Sequence, residues 1–107
     1  MTFYLKTDNT ADVLNLVLRD AAGTPKNITG ASSVRLHLIN AYGNLVLDEE
    51  MTVVDEAAGE VQYIWAAGDL EQAMVYQGEV EVIYSTGLRQ SFPNNENYII
   101  EVERKLA

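Results

Sequence analysis

The sequence predicts an all-β domain, a small antiparallel sandwich of about seven or eight short strands. Three observations predict it. Apolar residues recur at every second position in one segment after another, the phase of a half-buried strand. Turn residues interrupt these segments every eight to twelve residues or so, the spacing of a sandwich or barrel. No long helical stretch separates the strands, so a parallel α/β sheet is excluded.

The first clear strand is Val13 to Arg19, with Leu14, Leu16 and Leu18 on one face and Val13, Asn15, Val17 and Arg19 on the other. Asp20, Gly23 and Pro25 then mark a turn, and Ile28-Thr29-Gly30-Ala31 reads as a corner. In the second strand Val34, Leu36 and Leu38 point inward while Arg35 and His37 point out. Ala41-Tyr42-Gly43-Asn44 is a turn, because Gly and Asn tolerate positive φ. Leu45 to Leu47 and Met51 to Val54 look like one strand broken by the acidic run Asp48-Glu49-Glu50. Ala57-Ala58-Gly59 is a further turn, after which Val61, Tyr63 and Trp65 alternate inward.

Ala67 to Met74 is the one piece that reads as helical. Asp69 can cap a single turn over residues 69–74, with Gln72 three residues on as in a capping box. Tyr76 to Tyr84 is the longest strand, with Gly78, Val80, Val82 and Tyr84 inward and Gln77, Glu79 and Glu81 outward. Ser85-Thr86-Gly87 turns it into a hairpin with Leu88 to Phe92. Residues Pro93 to Asn97 form a loop, and Tyr98, Ile100 and Val102 carry the last strand. There is no internal repeat or linker, so residues 1–107 are expected to form one domain.

With 107 residues the chain can bury roughly two-thirds of its unfolded surface and needs no staple. Cysteine is absent, which excludes disulfides and thiolate metal sites. No apolar run approaches the roughly 18 residues of a membrane helix. The start, Met1 to Lys6, lacks the layout of a signal peptide, so the expectation is a protein made and kept inside a cell. The net charge is −9, from 16 acidic and 7 basic residues, and the basic residues are scattered apart from Arg104-Lys105. That distribution speaks against direct nucleic-acid binding and against attraction to anionic membrane, and it favours solubility.

No reactive constellation stands out. His37 is the single histidine and sits on an outward strand phase. Ser32, Ser33, Ser85 and Ser91 lie in no nucleophile elbow, and no Gly-rich phosphate loop precedes a helix. The carboxylates of Asp48-Glu49-Glu50 and Asp55-Glu56 fall at strand ends and turns, where solvated acids are the rule. Asp8-Asn9-Asp12 and Asn94-Asn95-Glu96-Asn97 offer oxygen ligands for calcium but lack EF-hand spacing. The expectation is therefore no catalytic residue, no cofactor and no metal. Most aromatics fall on inward phases. Phe3, Tyr4 and Tyr42 lie at an end and on a turn, and these three are the candidate interface residues.

In order and spacing, the elements resemble the immunoglobulin-like N-terminal domain of the phage baseplate upper protein family over about residues 8 to 103. The matching pieces are Leu16-Val17-Leu18 with Asp20, Gly23 and Pro25, then Ile28 to Ala31 and Val34 to Leu38. They continue with Asp55, Gly59, Val61, Tyr63, Trp65 and Asp69, then Tyr76, Glu79-Val80, Tyr84, Gly87 and Ser91 to Asn94. Met74 stands where that family often has glycine.

The resemblance implies an immunoglobulin-like sandwich and a non-enzymatic structural protein of a tailed-bacteriophage virion. It would be made in the host cytoplasm and docked in several symmetric copies onto other virion proteins of the tail or baseplate, with Thr2 to Thr7 and Glu101 to Lys105 each free to pair with a neighbour's exposed edge. Alternatives of the same reading are capsid decoration or a place in the neck. A further alternative is a carbohydrate-binding module for the host surface.

Overall fold

The structure, a computed structural model, describes residues 2–7, 11–93 and 96–106. Among these residues it is all-β, a sandwich of nine strands with no helix. The strands are β1 (Thr2–Lys6), β2 (Val13–Val17), β3 (Ala31–Ile39), β4 (Leu45–Glu50), β5 (Thr52–Asp55), β6 (Glu60–Ile64), β7 (Val75–Tyr84), β8 (Arg89–Phe92) and β9 (Tyr98–Glu103). The larger sheet runs β1-β9-β7-β3-β4, with β8 also paired to β7. The smaller sheet runs β2-β6-β5.

The alternation read from the sequence is what the two sheets bury between them. Val34, Leu36 and Leu38 of β3 face Val82, Val80 and Gly78 of β7 in register, and all are buried. Leu14 and Leu16 of β2, Val61 and Tyr63 of β6, and Ile100 and Val102 of β9 belong to the same cluster, with Leu18, Ile28, Trp65 and Phe92 among its other members. Each fully buried aliphatic or Phe side chain contributes roughly 1.5–3 kcal/mol. Gly78 takes an inward position because a Cβ there would lie 2.8 Å from Leu38 Cδ2. Tyr63 and Trp65 meet edge to face, with centroids 5.1 Å apart.

Three expectations are corrected. The acidic run Asp48-Glu49-Glu50 does not break a strand but lies within β4. Glu50 and Asp48 stand opposite Arg35 and His37 of β3, so the carboxylates fit the outer face, and the break falls at buried Met51. Residues 69–74 form no helical turn. The Asp69 carboxylate accepts the Ala66 amide at 2.8 Å and the Tyr63 hydroxyl at 2.7 Å, closing a turn that points back toward β6. The two chain ends, read as free to pair with a neighbour, pair with each other. β1 lies parallel to β9 from Thr2↔Ile99 to Lys6↔Glu103. Buried Thr7 ties the end of this ladder, donating its amide to Glu103 and accepting the Lys105 amide on its hydroxyl.

Gly59 is the glycine the packing demands. Its φ is +66°, and a Cβ would run into the carbonyl oxygens of Lys26 and Leu18. These carbonyls belong to the loop that hangs on β6, where the Leu18 amide donates to Gly59 and the Lys26 amide to Leu18. Gly59→Ala should lower the unfolding free energy by at least the roughly 1–3 kcal/mol of a strained left-handed residue. Urea unfolding of the two proteins checks this, with Gly43→Ala, whose Cβ would meet open space, as the milder comparison.

Candidate functional site

Two turns share one construction. In 20–24 the Asp20 side chain accepts the amides of Ala22 (2.9 Å) and Thr24 (3.0 Å). The Asp20 amide donates to Thr24, and Gly23 donates back to Asp20. In 40–44 Asn40 accepts the amides of Tyr42 and Asn44, both at 3.0 Å, and the same two backbone bonds recur. Gly23 and Gly43 have φ of +84° and +82°. The short polar side chain at the first position and glycine at the fourth define the turn. The third position carries no structural duty: Ala22 holds it in one turn and Tyr42 in the other.

Tyr42 is 81% exposed and Tyr4 71%. Both sit on or beside the larger sheet, Tyr42 at the tip of the β3–β4 hairpin and Tyr4 on edge strand β1 opposite Glu101. Phe3 is placed differently: it is half-buried and packs against the core opposite Ile100. The structure thus leaves two of the three candidate interface aromatics in solvent and turns the third inward, as period-two alternation along β1 requires. Sequence reasoning missed a neighbouring row on the same outer face, in which three apolar residues stand with Gln77 and Thr2. Leu45, Ile39, Gln77, Ile99 and Thr2 stand side by side across five strands. Its signal is long-range strand order, which no local window contains.

The rest of that face is a charge ladder centred on β3. His37 lies between Asp48 and Glu79, and Arg35 between Glu50 and Glu81. Arg35 Nε donates to Asp48 Oδ1 at 2.7 Å, and its Nη2 donates to the Asp48 carbonyl at 2.8 Å. His37 Nε2 approaches the same carboxylate at 3.1 Å, while Nδ1 faces Glu79 at 3.6 Å. Arg89 reaches Glu81, and Lys6 reaches Glu103. The Arg35 hydrogen bond holds the Asp48 carboxyl below its ordinary 3.8, and the Lys6 bond does the same for Glu103. Burial, followed by the bond to Asp69, pushes the Tyr63 phenol far up.

The two nitrogens of His37 face carboxylates on opposite strands, so they do not converge on one point. Among the described residues no group of three or more His, Cys, Asp or Glu is placed to hold a metal ion. Asp8, Asn9, Asn94 and Asn95 of the calcium readings lie outside the described residues. A cleft of about 440 Å³ runs between β2 and the start of β9, lined by Asn15, Leu16, Val17, Arg19, Asp20, Pro93 and Tyr98 among others.

No family model matches the chain, and no curated protein matches it. Among solved structures it matches CopC from Methylosinus trichosporium OB3b, with a TM-score of 0.57 and 11% identity, over 99% of this chain and 87% of that one. The chain has a CopC-like fold. At this identity the likeness is one of fold.

It also overturns the baseplate resemblance, since a structural match that spans the chain is to CopC. The virion role falls with it, as do its tail, neck, decoration and host-glycan variants and the virion location. The physical reason is visible in the quoted residues. Asp20 and Gly23 build a turn, Gly59 seats a loop, Tyr63 and Trp65 fill the core, and Asp69 closes a corner. These are duties of the sandwich and need no shared ancestry with a baseplate protein.

Because the folded pKa of Asp48 lies below its unfolded value, its contribution to stability is present above about pH 4 and is lost as pH falls through the folded pKa. Unfolding free energy measured from about pH 6 down to about pH 2 should fall more steeply for the wild type than for Asp48→Asn.

Proposed function

We propose that this chain is a non-enzymatic binding domain that engages a protein partner through the outer face of its larger sheet, with Tyr42 and Tyr4 as anchors. One observation carries the reading: Tyr42 is held in solvent by a turn whose twin uses alanine at the same place. An exposed aromatic without a structural duty is the typical centre of a binding hot spot. The row that carries Leu45, Ile39 and Ile99, interrupted by Gln77, lies beside it, and the charge ladder flanks that row. Such a face gives apolar area for affinity and fixed charges for orientation.

The likeness to CopC is one of fold, and fold alone brings no role here. The chain has one histidine and no cysteine, and among the described residues no group of three or more His, Cys, Asp or Glu is placed to hold a metal ion.

The test uses the twin turn as its control. A photo-crosslinking amino acid placed at Tyr42, in the full chain produced in its native cell, is expected to yield a discrete protein adduct. The same group at Ala22 is expected to yield none. Adducts that are absent from both positions, or identical from both, contradict the reading.

A further inference from the structure

The larger and smaller sheets protect their edges unequally. Edge strand β4 carries three successive carboxylates and a register shift between Leu38 and Ile39 of its partner. β5 has four residues, an aspartate and a register shift against β6. β8 has four residues and an arginine, and β1 ends in a lysine. Charges, shifts and shortness are the usual defences of an open edge. β2 has none of them: Val13-Leu14-Asn15-Leu16-Val17 is uncharged, free of Pro and Gly, and in unbroken register with β6.

The hydrogen-bonding groups of this edge can be assigned. The Leu18 amide donates to Gly59, one step past Val17↔Glu60. Antiparallel alternation then turns the amides and carbonyls of Leu14 and Leu16 toward β6, and those of Val13, Asn15 and Val17 outward. Among the described residues no strand pairs with that side of β2. A cleft of about 440 Å³ lies against Asn15, Leu16 and Val17, with Pro93 and Tyr98 on its far side.

We propose that β2 is a homodimerisation edge, pairing antiparallel with β2 of a second copy about a twofold axis at Asn15. The sequence of the strand is a palindrome, V-L-N-L-V. Self-pairing therefore sets Val13 against Val17, Leu14 against Leu16 and Asn15 against Asn15, with the outward amides and carbonyls of all three outer residues meeting their counterparts. The rows extend the pattern. Gln62 lies beside Asn15 on β6, so an amide row forms at the centre. Ile64 lies beside Val13, so these two exposed residues gain Val17 of the second copy as a neighbour.

Charge also selects the second copy. Two chains of net charge −9 repel wherever carboxylates meet, and on the outer face of β2 and β6 the one carboxylate is Glu60. The result is one six-stranded sheet across two sandwiches, an isologous contact that closes on itself. This surface is distinct from the Tyr42 face and does not depend on it.

Sedimentation velocity on the full chain over a concentration series tests the proposal. The wild type is expected to show a dimer that grows with concentration. Asn15→Lys, which sets two like charges face to face, is expected to sediment as a monomer with an unchanged far-UV spectrum. Mixing Asn15→Lys with Asn15→Asp should restore the dimer. Should Asn15→Lys fail to fold, Asn15→Cys reads the same contact. The chain has no other cysteine, so oxidation should join two chains through this position and should not do so through Thr52→Cys. A wild type that stays monomeric to about 1 mM overturns the proposal. So does a dimer that survives Asn15→Lys, a mixture that stays monomeric, or Asn15→Cys that forms no cross-link.

Discussion

The register of β3 on β7 is the constraint on which the other elements depend. It sets Leu36 on Val80 and Val34 on Val82 in the core, and it leaves room for Leu38 over Gly78. The same register sets Arg35 against Glu81 and His37 against Glu79 on the outer face. A slip of one residue would turn one of the two strands over, burying either Arg35 and His37 or Glu79 and Glu81 and exposing that strand's aliphatic side chains. Opposite charges across neighbouring strands add to the preference, and a slipped register would lose them. The parity of these two strands is thus fixed from both faces at once.

The remaining strands attach to this pair. β4 follows β3 through the Asn40 turn and matches its acids to the basic residues of β3. β9 and β8 share the far side of β7, each along half its length. The smaller sheet closes the core and is held at its ends by turns, where Asp69 and Gly59 take positions few other residues could fill. Side chains on the turns are then free of packing duties. Tyr42 stands out in that setting, because the turn beneath it is satisfied by Asn40 and Gly43 alone.

The inward phases of β2, β3, β6, β7 and β9 were legible in the sequence, because a half-buried strand writes its burial into every second residue. The turns at 41–44 and 57–59 were legible for the same local reason. What was not legible depends on distant partners. The acidic run of β4 becomes strand only because Arg35 and His37 lie opposite, thirteen and eleven residues earlier in the chain. Asp69 reads as a helix cap until Tyr63 and Ala66 claim its carboxylate. The parallel pairing of β1 with β9 joins the two ends of the chain, and no local window contains it. The resemblance to a baseplate domain failed for a related reason: its matched residues encode sandwich construction, which unrelated sandwiches also require.

The proposed contact surfaces depend on a rigid frame to present them. Native-state hydrogen exchange measures that frame most directly. The account predicts that the amides of β3 and β7 exchange slowest, through global unfolding, while those of β1 and β5 exchange through local opening at lower free energy. Equal or greater protection in β2, β6 and β5 than in β3 and β7 would contradict it.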